Sequence, residues 1–269
     1  MMHNRLTTIL DAKQHDVAKL HAHIAQAPTS ELAQVFHGNT IFPRKNKNVL
    51  HALQYAEHVK VIAEIKRRSP SKGELAQIAD PLTLAQQYIL GGASAISVLT
   101  ESTGFGGSLE DLKKISAAPE TQNTPILRKD FLIDPIQIAE SILYGADMIL
   151  LIVAVLEKQL PGMLQKAREL NIPALVEVHT REEIQQAIDA GAEIIGVNNR
   201  NLKTFDIDTQ CAFELAEYLP KNAIKIAESG IFECELAREY HQAGYAAVLV
   251  GEALVKSVDP KKWLEDCKK

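Results

Sequence analysis

Short runs of β-branched and other apolar residues recur along most of the chain, and this regular spacing restricts the possible folds more than any other feature. Runs this short and this apolar are typical of strands that are buried on both faces, as in a parallel sheet. The runs begin about 27 residues apart on average, which leaves room for one crossover helix after each strand. The predicted strands are Val61–Lys66, Ala95–Thr100, Pro125–Phe131, Met148–Val153, Pro173–Val178, Ile194–Asn199, Ile224–Ser229 and Ala247–Glu252.

The segments between these strands have helical periodicity. LTLAQQYILGG and REEIQQAIDAGA, for example, place apolar residues three and four positions apart, as one face of a helix requires. Several of these segments end in a glycine, which readily adopts the left-handed conformation that stops a helix. These glycines are Gly92, Gly145, Gly191 and Gly244. The repeated unit predicts one closed (β/α)8 barrel, or TIM barrel. An open, doubly wound sheet is the alternative, but a GxGxxG turn, which would favour it, does not follow the first strand.

The segment before the first predicted strand has a different pattern. Helical periodicity is visible in TTILDAKQHDVAKLHAHI and again in NVLHALQYAEH, so we expect helices that pack on the barrel. The segment is shorter than a typical independent domain. The predicted organisation is therefore an N-terminal helical extension over residues 1–58 and a barrel over residues 59–269.

Composition and charge exclude several classes of protein. Hydrophobic residues make up 46% of the 269 residues and charged residues 23%, which is ordinary for a soluble globular protein. The longest apolar run, Met148–Leu156, has about half of the roughly 20 residues that a membrane span needs. The net charge of −5 argues against nucleic acid as a partner. The basic cluster of Arg44, Lys45 and Lys47 is interpreted as a solvated loop. We therefore expect neither a membrane nor a nucleic acid as a partner.

The cysteines and histidines bear on the compartment and on cofactors. Cys211, Cys234 and Cys267 lie far apart with no CxxC pair, which predicts a reducing, cytoplasmic location without a cysteine zinc site or a disulfide framework. All histidines except His179 and His241 precede residue 60, so the main body lacks the clusters that are typical of a catalytic metal centre. His179 is interpreted as a loop histidine and not as a ligand. We expect no metal.

Polar side chains cluster where the predicted strands end, and a β/α barrel has its active site at these carboxyl ends. Residues two apart in a strand share a face, so Glu64 and Lys66 are expected to point the same way. A charged side chain inside a barrel is costly unless it is paired. Internal ion pairs that close the core would explain single residues, but not the whole set. The set comprises Glu64, Lys66, Lys129, Glu177, Asn198 and Arg200.

The ends of the last two strands are typical of a phosphate site. Ser229 and Gly230 follow the seventh strand, and Gly251 closes the eighth. In β/α barrels the loops after these strands commonly bind an anion together with a short helix, and glycine lets backbone N–H groups approach it closely. We expect the side chain of Glu252 to point away from the anion.

The loop RRSPSKGEL after the first strand is either a lid over a dianionic substrate or an exposed flexible loop.

Taken together, these segments resemble the indole-3-glycerol-phosphate synthase family, the carboxy-lyases of tryptophan biosynthesis. The matches run in family order from about residue 58 to the C-terminus and include IAEIKRRSPSKG, SVLTE, PILRKDFLIDPIQI, LLIV, LVEV, GVNNRNL, IAESGI and LVGEAL. The resemblance implies conversion of a sugar phosphate, 1-(2-carboxyphenylamino)-1-deoxyribulose 5-phosphate, into indole-3-glycerol phosphate, carbon dioxide and water. It implies no cofactor and no metal. A monomer or a weak homodimer is the expected state.

The resemblance also implies roles for individual residues. Lys129 resembles the general acid on the ketone oxygen, and Glu177 resembles the general base. Lys66 would bind the substrate carboxylate or phosphate and assist the later steps. Glu64 and Asn198 would support these groups. The substrate contacts implied by the resemblance are Ser69, Phe105, Phe131, Leu150, Ile152, Arg200, Leu202 and Ser229, and the phosphate contacts are Ser69 and the backbone at Gly230, Gly251 and Glu252.

The reaction requires these residue types. Ring closure moves electrons onto a ketone oxygen that must be protonated, and a lysine at the barrel mouth can donate that proton. We expect burial among cations to lower the pKa of Lys129. Dehydration needs both a base and an acid, and a carboxylate and a lysine across the pocket can divide those roles.

Three other functions fit the sequence less well. A phosphate-binding isomerase of the same pathway would need a Cys/Asp acid–base pair at strand ends, and no cysteine lies at a predicted strand end. A catalytically silent barrel that binds a sugar phosphate need not keep Lys66, Lys129 and Glu177. A metal-dependent epimerase would need histidines that the main body lacks.

Overall fold

The structure is a computed structural model that describes residues 3–39, 48–69, 72–202 and 204–269. The basic cluster of Arg44, Lys45 and Lys47 lies outside the described residues. Residues 70 and 71 of the predicted lid loop also lie outside them.

Eight parallel strands form a closed barrel in which each strand pairs with its neighbours in sequence and the last strand pairs with the first. The strands are β1 (Lys60–Ile65), β2 (Ala95–Leu99), β3 (Ile126–Lys129), β4 (Met148–Ile152), β5 (Ala174–Val178), β6 (Ile194–Asn198), β7 (Ile224–Glu228) and β8 (Ala247–Val250). Closure is made by β1 and β8, whose register runs from Lys60 opposite Ala247 to Ala63 opposite Val250. The predicted (β/α)8 barrel is therefore confirmed, and the open sheet is wrong.

The apolar sequences of the strands follow from burial on both faces. All five residues of β4 are buried, for example. One apolar cluster joins the outer face of the barrel to the helices. A smaller cluster fills the interior and includes Ile62, Leu127, Leu150 and Leu175. Side chains at odd and at even positions of a strand therefore both enter an apolar cluster. This explains why apolar and polar residues do not alternate along the strands.

Helices follow the strands, as the periodicity predicts. They are α4 (Pro81–Leu90), α5 (Leu109–Ala117), α6 (Ile136–Leu143), α7 (Val153–Leu156), α8 (Leu160–Glu169), α9 (Arg181–Asp189), α10 (Gln210–Leu215), α11 (Cys234–Gln242), α12 (Glu252–Lys256) and α13 (Pro260–Asp266). The four glycines expected to end helices all have a positive φ, between 78° and 97°. These positions are strained for other residues, and glycine therefore defines where each of these helices stops.

Three helices precede the barrel: α1 (His3–Gln26), α2 (Glu31–Phe36) and α3 (Val49–Leu53). Helices α1 and α2 pack against α6. Ile9 of α1 and Leu53 of α3 belong to the interior apolar cluster, so both helices contribute to the core of the barrel. The division of the chain at residue 58 into an extension and a barrel stays a prediction.

The expectation that the cysteines form no disulfide is wrong. Cys234, at the start of α11, is bonded to Cys267, which follows α13, and their Cα atoms are 4.8 Å apart. The two residues are 33 positions apart in sequence. Packing of the C-terminal helix against the barrel brings them together, and spacing along the chain carries no signal for such a contact. Cys211 keeps a free thiol.

Membrane-spanning helices and metal clusters are both absent from the described residues. None of the helices there is long and apolar enough to span a bilayer. No group of three or more His, Cys, Asp or Glu side chains in the same part of the chain is arranged to hold a metal ion.

Candidate active site

A cleft opens at the carboxyl ends of the barrel strands. It is lined by every site residue predicted from the sequence except Ser69. The predicted residues that line it are Glu64, Lys66, Phe105, Lys129, Phe131, Leu150, Ile152, Glu177, Asn198, Arg200, Leu202, Ser229, Gly230, Gly251 and Glu252. Ser69 lies instead in a short hairpin after β1, where it pairs with Gly73 and its Oγ accepts the backbone N–H of Lys72 at 3.2 Å.

An ammonium group and two carboxylates meet deep in this cleft. Lys129 Nζ at the end of β3 lies 3.1 Å from Glu177 Oε2 on β5 and 3.6 Å from Glu228 Oε2 on β7. Both carboxylate side chains are about 1% exposed. The three residues come from alternate strands, whose inward side chains share a layer in a β/α barrel. Distant parts of the sequence thus supply one compact charged group.

The surroundings of Lys129 differ from those expected. Burial alone would lower the pKa of Lys129, but the carboxylates of Glu177, Glu228 and Glu64 outweigh burial and raise it. The prediction that cations surround this lysine and lower its pKa is therefore wrong. Lys129 is held as an ammonium chiefly by the carboxylate of Glu177, the largest of the charges that raise its pKa.

The two carboxylates that share Lys129 differ in protonation. Burial favours the neutral form of Glu177, but Lys129 and His179 outweigh burial and hold its pKa below the usual range. Burial raises the pKa of Glu228 to about 8, because the nearby negative charges of Glu177 and Glu64 add to burial while Lys129 compensates only in part. At neutral pH one acid is ionised and the other keeps its proton. Divergent pKa values of this kind are typical of acid–base pairs.

Glu228 was missed in the sequence. Neither of its carboxylate oxygens has a hydrogen-bond partner among the described residues. Room for the carboxylate comes from Gly196 on the adjacent β6, because a Cβ there would collide with Glu228 Oε1. A signal was present: Glu228 is the one acid of IKIAE and lies near the carboxyl end of its strand, as Glu64 does in IAEIK.

A second lysine–carboxylate pair lies at the end of β1. Lys66 Nζ is 2.6 Å from Glu64 Oε1, so the prediction that the two side chains point the same way is confirmed. Gly251 permits this arrangement, since a Cβ at that position would come within 2.9 Å of Lys66 Nζ. The glycine after β8 thus brings the backbone close to both charges.

The loops after β6 and β7 add polar groups to the rim. The backbone N–H of Arg200 donates to Asn198 Oδ1 at 3.0 Å, and Arg200 Nη1 donates to the carbonyl of Phe205 at 3.0 Å. Ser229 and Gly230 adopt consecutive positive φ values of 66° and 78°. A left-handed serine is uncommon, and such strain is often found at ligand sites.

Glu252 begins α12 and also lines the cleft. Its Oε1 lies 2.8 Å from Lys72 Nζ and 2.8 Å from Lys256 Nζ. The two ammonium groups neutralise the carboxylate and, although burial opposes them, hold its pKa below the usual range. An acid beside a predicted anion site is thus compensated from two sides.

Apolar side chains form the opposite wall. Phe105 and Phe131 lie with their ring centroids 6.4 Å apart, next to Leu150, Ile152 and Leu202 of the interior cluster. Glu101, a second lining residue that was not selected from the sequence, holds the loop that carries Phe105. Its carboxylate accepts backbone N–H groups of residues 103, 104 and 105 at 2.7, 2.6 and 2.9 Å.

A closed β/α barrel with two lysine–carboxylate pairs at its mouth defines the class: a (β/α)8-barrel enzyme. Residues 6–267 match the family model described as indole-3-glycerol phosphate synthase. An indole-3-glycerol phosphate synthase of Kineococcus radiotolerans is 52% identical over 209 residues, which cover 77% of this chain and 75% of that protein. One of Parafrankia is 44% identical over 264 residues, which cover 98% and 94%. The chain belongs to the indole-3-glycerol-phosphate synthase family, and it is a decarboxylating lyase of tryptophan biosynthesis.

Solved structures share the barrel. A 3-hexulose-6-phosphate synthase from Salmonella typhimurium superposes with a TM-score of 0.64 at 13% identity, covering 78% of this chain and 97% of that one. A thiamine phosphate pyrophosphorylase from Pyrococcus furiosus gives a TM-score of 0.58 at 16% identity and covers 78% and 93%. At such identities the likeness concerns the fold alone.

Proposed function

We propose that this cleft closes the indole ring of 1-(2-carboxyphenylamino)-1-deoxyribulose 5-phosphate, with Lys129 as the general acid and Glu177 as the general base. The observation that supports these roles most directly is the 3.1 Å contact between Lys129 Nζ and Glu177 Oε2 deep in the cleft. Acid and base are then within reach of one substrate carbon. The products are indole-3-glycerol phosphate, carbon dioxide and water.

Ring closure comes first. The aromatic carbon that bears the carboxylate attacks the ketone carbon, a carbon–carbon bond forms, and the ketone oxygen takes a proton from the ammonium of Lys129. The bond to the carboxylate then breaks, its electron pair restores the aromatic ring, and carbon dioxide leaves. The ammonium of Lys66 also favours negative charge as it develops on the oxygen. Glu228, which keeps its proton at neutral pH, can return one to Lys129.

Dehydration completes the reaction. The new hydroxyl leaves as water when an acid protonates it, and a base removes a proton from the adjacent carbon to form the double bond. Glu177 suits the base because its pKa is held low, so it is ionised when substrate binds. Lys66 and Lys129 are the acids at hand, and Lys66 is assigned to the later steps.

The remaining groups bind the substrate. We assign the phosphate to Ser69 and to the backbone at Gly230, Gly251 and Glu252, with Ser229 as a further substrate contact. The apolar wall of Phe105, Phe131, Leu150, Ile152 and Leu202 receives the anthranilate ring, and Arg200 faces the substrate from the rim. Compensation of Glu252 by Lys72 and Lys256 supports an anion at this place, because an uncompensated carboxylate would repel it.

We further propose that the enzyme works in the cytoplasm as a monomer or a weak homodimer, on a small sugar-phosphate substrate. In that compartment the bond between Cys234 and Cys267 would meet reducing agents. The oligomeric state is measurable by sedimentation over a range of protein concentrations.

An indole-fluorescence assay with the carboxyphenylamino ketose phosphate tests the proposal. The wild-type chain is expected to form product at the same rate with and without chelator. Lys129→Ala should lower kcat by about 10² or more, as the loss of a general acid does. Lys114→Ala removes a half-exposed lysine and is the matched control, expected within about two-fold of wild type. Near-normal turnover by a folded Lys129→Ala would remove Lys129 from the mechanism.

The variant Glu177→Gln tests whether Glu177 acts as the general base or only as a group that binds the substrate. It should lower kcat while affinity for inorganic phosphate stays close to that of the wild type, because Glu177 is not among the proposed phosphate contacts. Equal losses of turnover and phosphate affinity would mark Glu177 as an ion-pair partner of the site and not as its base.

A further inference from the structure

We propose that His179 is a positioning residue for Glu177: its imidazolium is the second cation that keeps Glu177 ionised when Lys129 turns to the substrate. This inference rests on the proposed function, in which Glu177 is the general base.

The position of the ring is the first step. His179 directly follows β5, with Nε2 3.5 Å from Glu177 Oε1 and Nδ1 3.2 Å from Glu183 Oε2. Its side chain is 13% exposed. Glu177 Oε1 and His179 Nε2 are both buried, and neither has a hydrogen-bond partner among the described residues, so they face each other as an ion pair.

The protonation of the ring follows from its neighbours. An ionised carboxylate only accepts hydrogen bonds, and a neutral imidazole has one donor nitrogen. Because each ring nitrogen faces a carboxylate oxygen, both carry a proton in the arrangement that fits best. Burial lowers the pKa of His179, but Glu183 and Glu177 outweigh burial and raise it above its ordinary value.

Helix α9 fixes the ring independently of the substrate. The backbone N–H of His179 donates to Glu183 Oε2 at 2.6 Å, and the N–H of Glu183 donates to Thr180 Oγ1 at 3.2 Å. The other charged or titratable groups near the ring are Glu228 on β7, which raises the pKa of His179 when it is ionised, and Cys211 on α10, whose thiol donates to the His179 carbonyl at 3.9 Å. The imidazole is thus held by the protein before substrate binds.

The two oxygens of Glu177 have different cationic partners. Oε2 faces Lys129 and Oε1 faces His179. When Lys129 gives its proton to the ketone oxygen, its positive charge leaves the pair with Glu177. A carboxylate that is 1% exposed would then take up a proton unless another cation remained. His179 is that cation.

The pH dependence of kcat for His179→Gln tests the role, since glutamine keeps a donor near Nε2 without the charge. Relative to its own rate at pH 7.5, the variant should lose about ten-fold more activity at pH 5 than the wild type does, because a ten-fold change corresponds to one pH unit of protonation. The loss should be smaller in kcat/KM, which reports the free enzyme, where Lys129 still faces Glu177. Glu182→Gln removes an exposed acid from the same turn of α9 and should follow the wild-type profile within about two-fold.

Proton NMR of the histidine rings tests the contact without turnover. The His179 signal is identified by its absence from His179→Gln, and its titration should move to lower pH in Glu177→Gln. Superimposable kcat profiles for wild type and His179→Gln, or a His179 titration that Glu177→Gln leaves unmoved, would overturn the inference. A wild-type chain without synthase activity would instead overturn the proposed function, while the NMR titration would still decide the contact.

Discussion

Lys13 Nζ lies 2.7 Å from Asp130 Oδ1, and this ion pair joins the N-terminal helix α1 to the residue that follows Lys129. The two side chains are 8% and 0% exposed. The other carboxylate oxygen of Asp130 contacts Thr100 at 2.7 Å and Arg128 at 3.1 Å. The end of β3, which carries the proposed acid, is thus fixed both from within the barrel and from the extension.

Lys13→Met should lower the free energy of unfolding by about 3 kcal/mol, because it leaves a buried carboxylate with one cation fewer. Urea denaturation with an unchanged m-value measures this loss. Lys19→Met is the matched control on the same helix, since its pair with Asp16 is exposed and should contribute less than about 0.5 kcal/mol. If the two substitutions lowered the free energy of unfolding equally, the contact with Asp130 would contribute no more to stability than an exposed ion pair.

Glu228→Gln should change how stability depends on pH. The pKa of Glu228 is raised to about 8 in the folded chain, so between pH 4.5 and 8 the unfolded chain loses this proton first. Stability contributed by the protonated acid is therefore present at low pH and lost as pH rises through this window. Glutamine is neutral throughout. The free energy of unfolding of the variant, relative to that of the wild type, should therefore rise by about 2 kcal/mol or more between pH 5 and pH 8.5.

Chemical denaturation at several pH values measures this difference. Glu169→Gln, at a half-exposed site, is the control and should run parallel to the wild type. A constant offset between Glu228→Gln and wild type across the window would contradict the raised pKa of Glu228.

Glu101→Gln should weaken substrate binding more than turnover. The carboxylate accepts three consecutive backbone N–H groups that place Phe105, and an amide presents an NH2 group to at least one of them. We expect KM to rise about ten-fold, consistent with the roughly 1–3 kcal/mol cost of unpaired buried groups, while kcat falls less. Glu110→Gln on the neighbouring exposed surface should leave both constants unchanged. A fall in kcat alone would place Glu101 in the chemistry.

Thiol titration checks the disulfide. A chain purified without reductant and then denatured should show one reactive thiol, that of Cys211, and three after reduction. Reduction should lower the free energy of unfolding by about 3–4 kcal/mol for a loop of 33 residues. Cys211→Ser should show no thiol before reduction. Three thiols without reductant would exclude the bond.

The fold was predictable because a strand buried on both faces must be apolar throughout. All eight strands lie within two residues of the predicted bounds. The end of β8 moves back to Val250 because Gly251 already begins the turn into α12. The cysteine pair was not predictable, since it depends on how the last helix packs and not on a local pattern.

The site was predictable where a polar residue lies near the carboxyl end of a predicted strand. That rule selected Glu64 and Glu177, and the same rule applied to β7 would have selected Glu228. The pKa of Lys129 was predicted with the wrong sign, because residues from three separate strands set its surroundings. Contacts of His179 with Glu177 and Glu183 likewise exist only once β5 and α9 are in place.

Gly196 leaves an empty place in the wall of the barrel, and the carboxylate of Glu228 occupies it. The absence of a Cβ at this position on β6 thus determines how deeply the Glu228 side chain on β7 can be buried. An alanine at this position would displace the Glu228 carboxylate toward the mouth of the barrel. Contact with water there would lower its pKa toward the ordinary value. In this barrel, the lack of a side chain at Gly196 thus permits the burial that raises the pKa of Glu228.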